Sequence, residues 1–232
     1  SYCGGNVPLT CPHGRPVIIS VKKSDLEKLV PIVKKHNLIV FSDEIYGELS
    51  YNGLKFTSIA SFDGMRERTI VISGFSKYFA MTGWRLGYVC APKEIIDVIY
   101  KIHQYAIMCA STAAQYVALE ALNSSFKDNF KEVHTMRDEY DKRRRYLVDR
   151  LNAMGLSCFE PRGAFYVFPC VKSTGMDGKK FAYALLDAKN VAVVPGGAFG
   201  DSGKDFVRIS YAYSMDIIKR ALDLIEEFLN NK

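Results

Sequence analysis

The sequence predicts an α/β protein: a mainly parallel sheet flanked by helices, with a smaller C-terminal α+β domain. Three observations carry this. Apolar runs of strand length alternate with longer stretches of helical period. The early runs are continuous rather than alternating, as in strands covered on both faces. After Gly155 the texture changes to shorter strand-like pieces with one helix between them and one at the end.

Taken in order, residues 1–20 are punctuated by Gly4-Gly5, Pro8, Pro12, Gly14 and Pro16, and no period emerges. Val17–Val21 has the length of a short strand. Ser24-Asp25-Leu26-Glu27 reads as a capping box with Ser24 as N-cap. Leu26, Leu29, Val30 and Val33 then recur at helical spacing. Leu38–Phe41, Thr69–Ile72 and Leu86–Cys90 read as buried strands of a parallel sheet. Helical periods follow over about 93–107, 112–123 and 126–153. Strands are expected at Ala164–Phe168, Val191–Val194 and Phe206–Tyr211, with helices at Lys179–Lys189 and Ser214–Asn230. The expected division is an irregular segment over 1–23, a large domain over 24–140 and a small domain over 141–232.

Composition narrows the function classes. A chain of 232 residues with 48% apolar and 24% charged residues is ordinary globular material. No stretch approaches the roughly 20 apolar residues of a membrane span. The net charge of +6 is mild, and its densest patch, Lys142 to Arg145, is interleaved with Asp138, Glu139, Asp141 and Asp149. That patch reads as a solvated helix face, so neither nucleic acid nor membrane is an expected partner. The six cysteines form no CxxC pair, and no histidine lies at zinc spacing, so no metal is expected. Reduced thiols and the lack of a charged start followed by an apolar core lead to the expectation of a cytoplasmic protein without a signal peptide.

The chemistry gathers at strand ends. After Leu38–Phe41 come Asp43 and Tyr46, and after Thr69–Ile72 come Ser73, Ser76 and Lys77. Arg85 precedes the next strand. Ligands of open α/β sheets bind outside the carboxyl ends of strands. Ser73, Ser76 and Arg85 suit a phosphate, the arginine through charge-assisted bonds. Lys77 suits a Schiff base with an aldehyde. Asp43 suits a protonated ring nitrogen, and Tyr46 a ring oxygen. Together these describe pyridoxal 5'-phosphate. Each residue alone has a plainer reading: a solvated lysine, an aspartate in a turn, a Ser-Gly bend. The ordered set is what carries weight.

Ser42-Asp43-Glu44-Ile45-Tyr46, Ser73-Gly74-Phe75-Ser76-Lys77 and Met81-Thr82-Gly83-Trp84-Arg85-Leu86-Gly87-Tyr88 closely resemble the class I/II aminotransferases, pyridoxal-phosphate enzymes of the aspartate aminotransferase type. The resemblance runs from about Ser24 to the C-terminus. It implies an incomplete transferase-like large domain, with Lys77 as Schiff-base lysine and catalytic base. It also implies Asp43 as pyridinium partner, Tyr46 as donor to the ring hydroxyl, and Ser73, Ser76 and Arg85 as phosphate ligands. Phe206-Val207-Arg208-Ile209-Ser210-Tyr211 resembles the strand whose arginine holds the substrate α-carboxylate, which makes Arg208 the substrate residue. The plainer reading of Arg208 is an arginine salt-bridged within the fold. Pro161-Arg162-Gly163-Ala164-Phe165-Tyr166 resembles the strand lining the substrate entrance.

The implied function is amino-group transfer between an L-amino acid and a 2-oxo acid, in a homodimer. A carbon–sulfur lyase or decarboxylase of the same fold would keep the same residues. So would a ligand-sensing module, or an inactive fragment. The family's N-terminal phosphate loop, ring-stacking aromatic and Asn-Pro turn are not identifiable before Ser24.

Overall fold

The computed structural model describes residues 23–231. The expectations for residues 1–20 and for a strand at Val17–Val21 therefore lie outside the described residues. The chain divides into two units, split between Asp138 and Glu139 inside one long helix.

The unit over 23–138 opens with α1 (Lys23–Lys35). Ser24 is inside this helix rather than at its cap, because the helix already includes Lys23. Strand β1 (Val40–Asp43) starts two residues later than the apolar run suggests, since the Leu38 amide still donates to the Val33 carbonyl at the end of α1. It pairs in parallel with β2 (Thr69–Gly74), with Asp43 opposite Ile72. β3 (Gly87–Cys90) follows β2 antiparallel, with Ser73 opposite Tyr88. A parallel return needs a crossover, usually a helix. The link from Phe75 to Leu86 holds only turns and a 3-10 turn at Thr82–Trp84, so the chain doubles back.

The order β1-β2-β3 leaves both outer strands at sheet edges. These strands are less covered than a buried run implies: Phe41 is 71% exposed, and all four residues of β3 are exposed. The middle strand comes nearest to the expectation of buried strands: Thr69, Ile70, Ser73 and Gly74 are buried, but Ile72 is exposed. Helices α2 (Lys93–Ile107) and α3 (Thr112–Lys127) complete this unit. Ala114 and Ala118 of α3 pack with Phe75, Met81 and Leu86. A second cluster gathers Val33, Ile59 and Met65.

The boundary falls within α4 (Lys131–Ala153). In the unit over 139–231, three short strands form an antiparallel sheet in the order β4-β6-β5: β4 (Tyr166–Val167), β5 (Val194–Pro195) and β6 (Val207–Ser210). Helix α5 (Gly178–Lys189) is capped by Asp177, whose carboxylate accepts from the Lys180 amide at 2.8 Å. It ends at Asn190, whose left-handed backbone closes the helix. Helix α6 (Met215–Asn230) is capped by Ser214. Phe181 and Leu185 of α5 and Leu222 and Ile225 of α6 are all but fully buried. Glycine is required where this unit's loops touch: a side chain on Gly196 would meet the backbone of Gly203 and Phe206.

The patch at Lys142 to Arg145 departs from a solvated face. Lys142 and Arg145 are exposed, but Arg144 is completely buried. Three thiols, Cys90, Cys109 and Cys158, are free, while Cys170 is disulfide-bonded, against the expectation of reduced cysteines throughout. A buried apolar setting suits a half-cystine as well as a thiol, so composition does not separate them. No helix among the described residues is long and apolar enough to cross a membrane.

Candidate active site

In the unit over 23–138, the parallel pairing of β1 and β2 brings their carboxyl ends side by side. The Glu44 amide donates to the Ile72 carbonyl at 2.8 Å, carrying the pairing one residue past β1. The turn over 44–48 then presents Tyr46, and the turn over 75–79 presents Lys77. The Lys77 ammonium lies 5.7 Å from the centre of the Tyr46 ring, in the range of a cation–π contact. Lys77 and Tyr46 are both half-buried.

Asp43 ends β1 and is exposed. Its carboxylate accepts from the Ile45 amide at 3.2 Å, so it also shapes the turn that carries Tyr46. Ser73 is buried, and its hydroxyl donates to the Glu44 carbonyl at 3.4 Å. Ser76 is half-buried on the same turn as Lys77. Arg85 is exposed and donates from Nη1 to the Thr82 carbonyl at 2.7 Å. It holds a left-handed backbone, φ 52°, at the end of the Thr82–Trp84 turn. For a non-glycine this costs on the order of 1 kcal/mol, and such strain clusters at functional positions. Arg85 stands just before β3, whose first residue Gly87 pairs with Gly74, so it belongs to the same end of the sheet.

Three further residues support this arrangement: Glu44 and Tyr88 stand inside the sequence motifs without an assigned role, and Tyr78 follows Lys77 outside them. Glu44 accepts from the hydroxyls of Ser42 at 2.9 Å and Ser58 at 2.5 Å, anchoring the turn between Asp43 and Tyr46. Tyr78 and Tyr88 share a hydrogen bond between hydroxyls at 3.2 Å. Burial pushes the Tyr78 phenol well above its ordinary range, with its bond to Tyr88 acting in the same direction. The cross-strand placement of Tyr88 opposite Ser73 creates this pairing, and only a known register would reveal it.

In the unit over 139–231, Arg208 lies on β6. Its guanidinium rests against two rings, 4.5 Å from the centre of Tyr166 and 4.6 Å from that of Phe199. Among the described residues no carboxylate forms an ion pair with it, so the reading of a salt bridge internal to the fold finds no partner there. No group of three or more His, Cys, Asp or Glu among the described residues is arranged to hold a metal.

The family model for aminotransferase class I and II matches residues 10–225. The chain belongs to that family. Aspartate aminotransferase of Pyrococcus abyssi is 48% identical over 212 residues, 91% of this chain and 54% of the relative. Aromatic-amino-acid aminotransferase 2 of Thermococcus litoralis is 44% identical over 210 residues, 90% of this chain and 54% of the relative. The crystal structure of an aromatic aminotransferase from Pyrococcus horikoshii superposes with a TM-score of 0.85 at 47% identity, covering 90% of this chain and 56% of that one. The chain thus spans about half the length of the relatives it matches.

Aminotransferases of this class are pyridoxal-phosphate enzymes. The residues present fit that group on chemical grounds. An amine, a carboxylate, a phenol, hydroxyls and a guanidinium are carried at one end of one sheet, with the Lys77 amine over the Tyr46 ring.

Proposed function

We propose that this chain serves a pyridoxal-phosphate-dependent aminotransferase that moves an amino group between an L-amino acid and a 2-oxo acid. The observation that carries the reading is the convergence of Lys77, Tyr46 and Asp43 at the paired carboxyl ends of β1 and β2. Lys77 would hold the cofactor through its amine. Asp43 would hold a proton on the ring nitrogen, and Tyr46 would donate to the ring hydroxyl. Ser76 and Arg85, the more accessible of the three candidates, would take most of the phosphate, with Ser73 as a further donor. The bound cofactor supplies an electron sink that makes the α-hydrogen of an amino acid removable.

The chain's own residues do the rest. Arg208 binds the substrate carboxylate by paired charge-assisted hydrogen bonds, for which a guanidinium with no acidic partner among the described residues is prepared. Lys77, with its amine free, would take the proton from the substrate α-carbon and deliver it to the cofactor's aldehyde carbon. Asp43 keeps its ionic partner protonated while that happens. Substrates of the aspartate and aromatic kind come first for testing, because the relatives are named for them. The reading extends to a homodimer in the cytoplasm. The apolar residues left exposed on α2 support the dimer, and the free thiols support the compartment, with the disulfide at Cys170 counting the other way.

The test is product analysis on the full-length protein with aspartate or an aromatic amino acid as donor and 2-oxoglutarate as acceptor. The reading predicts equimolar new 2-oxo acid and glutamate, with the parallel-line kinetics of a substituted-enzyme mechanism. Release of sulfide from cysteine or carbon dioxide from the donor, without glutamate, would make it a lyase or decarboxylase.

A further inference from the structure

We propose that Arg144 is a positioning residue for the substrate-carboxylate site: it fixes the segment over 160–166 so that Tyr166 stays seated against Arg208. The inference rests on the reading of Arg208 as the carboxylate-binding residue.

Arg144 is the one member of its basic run whose side chain is fully buried. A buried guanidinium is tolerated only when its donors are matched. Here they are. Nε and Nη2 donate to Asp141 Oδ1 at 2.8 and 2.6 Å. Nη1 donates to Glu160 Oε1 at 2.6 Å and to the Pro161 carbonyl at 3.1 Å. Asp141 lies one turn away on the same helix, but Glu160 and Pro161 do not. The planar fork therefore ties α4 to the start of the segment that leads into β4. Lysine has no such fork.

Two further contacts hold the same segment. Ala164 adopts a left-handed backbone, φ 60°, and its carbonyl accepts from the Tyr211 hydroxyl at 3.1 Å. A non-glycine persists in that region only where its surroundings over-determine it. Tyr140, one turn before Arg144, packs on Phe165 at 5.6 Å and on Tyr211 at 6.3 Å between ring centres. The next residue is Tyr166, one of the two rings on Arg208. Since no acidic side chain orients Arg208 among the described residues, those rings set its direction. A loosened segment would misdirect it.

The experiment uses the full-length protein loaded with pyridoxal phosphate. Its probes are maleate and 3-phenylpropanoate, carboxylates that bind without reacting, measured by calorimetry. Glu160→Gln changes a half-exposed partner and leaves no buried hole, so the variant folds. Arg144→Lys keeps the charge and removes the fork. Both should raise the probe Kd on the order of tenfold. Cofactor loading at Lys77, read by visible absorption, should not change. In an Arg208→Gln background, Glu160→Gln should add nothing.

If Arg208→Gln weakens the probes while Glu160→Gln does not, Arg144 is only structural and the inference fails. The same holds if Glu160→Gln costs as much without Arg208 as with it. If Arg208→Gln itself leaves probe binding unchanged, the carboxylate reading of Arg208 falls first and takes the inference with it.

Discussion

The two units of this chain solve the burial problem to different extents. In the unit over 139–231, Phe181 and Leu185 of α5 and Leu222 and Ile225 of α6 are all but fully buried, although Tyr183, Leu186 and Ile217 are exposed, and even Arg144 is buried among hydrogen-bond acceptors. In the unit over 23–138, both outer strands are edges, Phe41 is 71% exposed and α2 buries none of its residues. Contiguous exposed apolar surface marks a place where further protein belongs. The lysine-bearing unit offers its chemistry on a sheet that is still open, and the arginine-bearing unit offers its chemistry on a closed core. A site can therefore be well formed locally in both, although their sheets are covered to different extents.

The sharpest way to break this comparison is a pair of large-to-small substitutions. Leu185→Ala, at a fully buried position on α5, should cost about 2–5 kcal/mol in denaturant unfolding. Phe41→Ala should cost less than about 0.5 kcal/mol in this chain, since most of the ring already meets solvent. Equal losses would show that β1 is covered as well as α5 is.

A smaller effect concerns thiols. Burial pushes the Cys158 thiol up to about 12 from its usual 9.0. The folded state keeps its proton where the unfolded chain loses it. Stability is therefore unaffected below about pH 9.0 and falls as pH rises from there toward about 12. Replacing Cys158 by Ala should remove that part of the alkaline loss. At pH 8 an alkylating reagent should label the exposed Cys90 and Cys109 and spare Cys158. Labelling of Cys158 at the same rate would mean that this unit opens as readily as the other.

Much of the helical structure was legible. The period over 93–107 matches α2 residue for residue, because amphipathic spacing and the preceding Pro92 act locally. Sheet details were less so. β3 reads as one more parallel strand, but direction depends on the length and content of the link before it. Leu38–Phe41 reads as buried because its residues are apolar, whereas burial depends on what covers the sheet. The motif residues Asp43, Tyr46, Ser73, Ser76, Lys77 and Arg85 were visible because strand ends are easy to find. Their supports, Glu44 with Ser58 and Tyr78 with Tyr88, arise from pairings distant in sequence and leave no local mark. Arg144 was hidden for the same reason: nothing in a run of basic residues tells which one turns inward to meet Glu160.

The central claim is that Lys77, standing over Tyr46 at the end of β2, is the residue that holds the cofactor. Its most direct test is to load the full-length protein with pyridoxal phosphate, reduce with borohydride and map the modified peptide. The account predicts a protein-bound visible band before reduction and a single pyridoxyl label on Lys77, absent in Lys77→Ala. A label on a different lysine, or an undiminished label in Lys77→Ala, would contradict it.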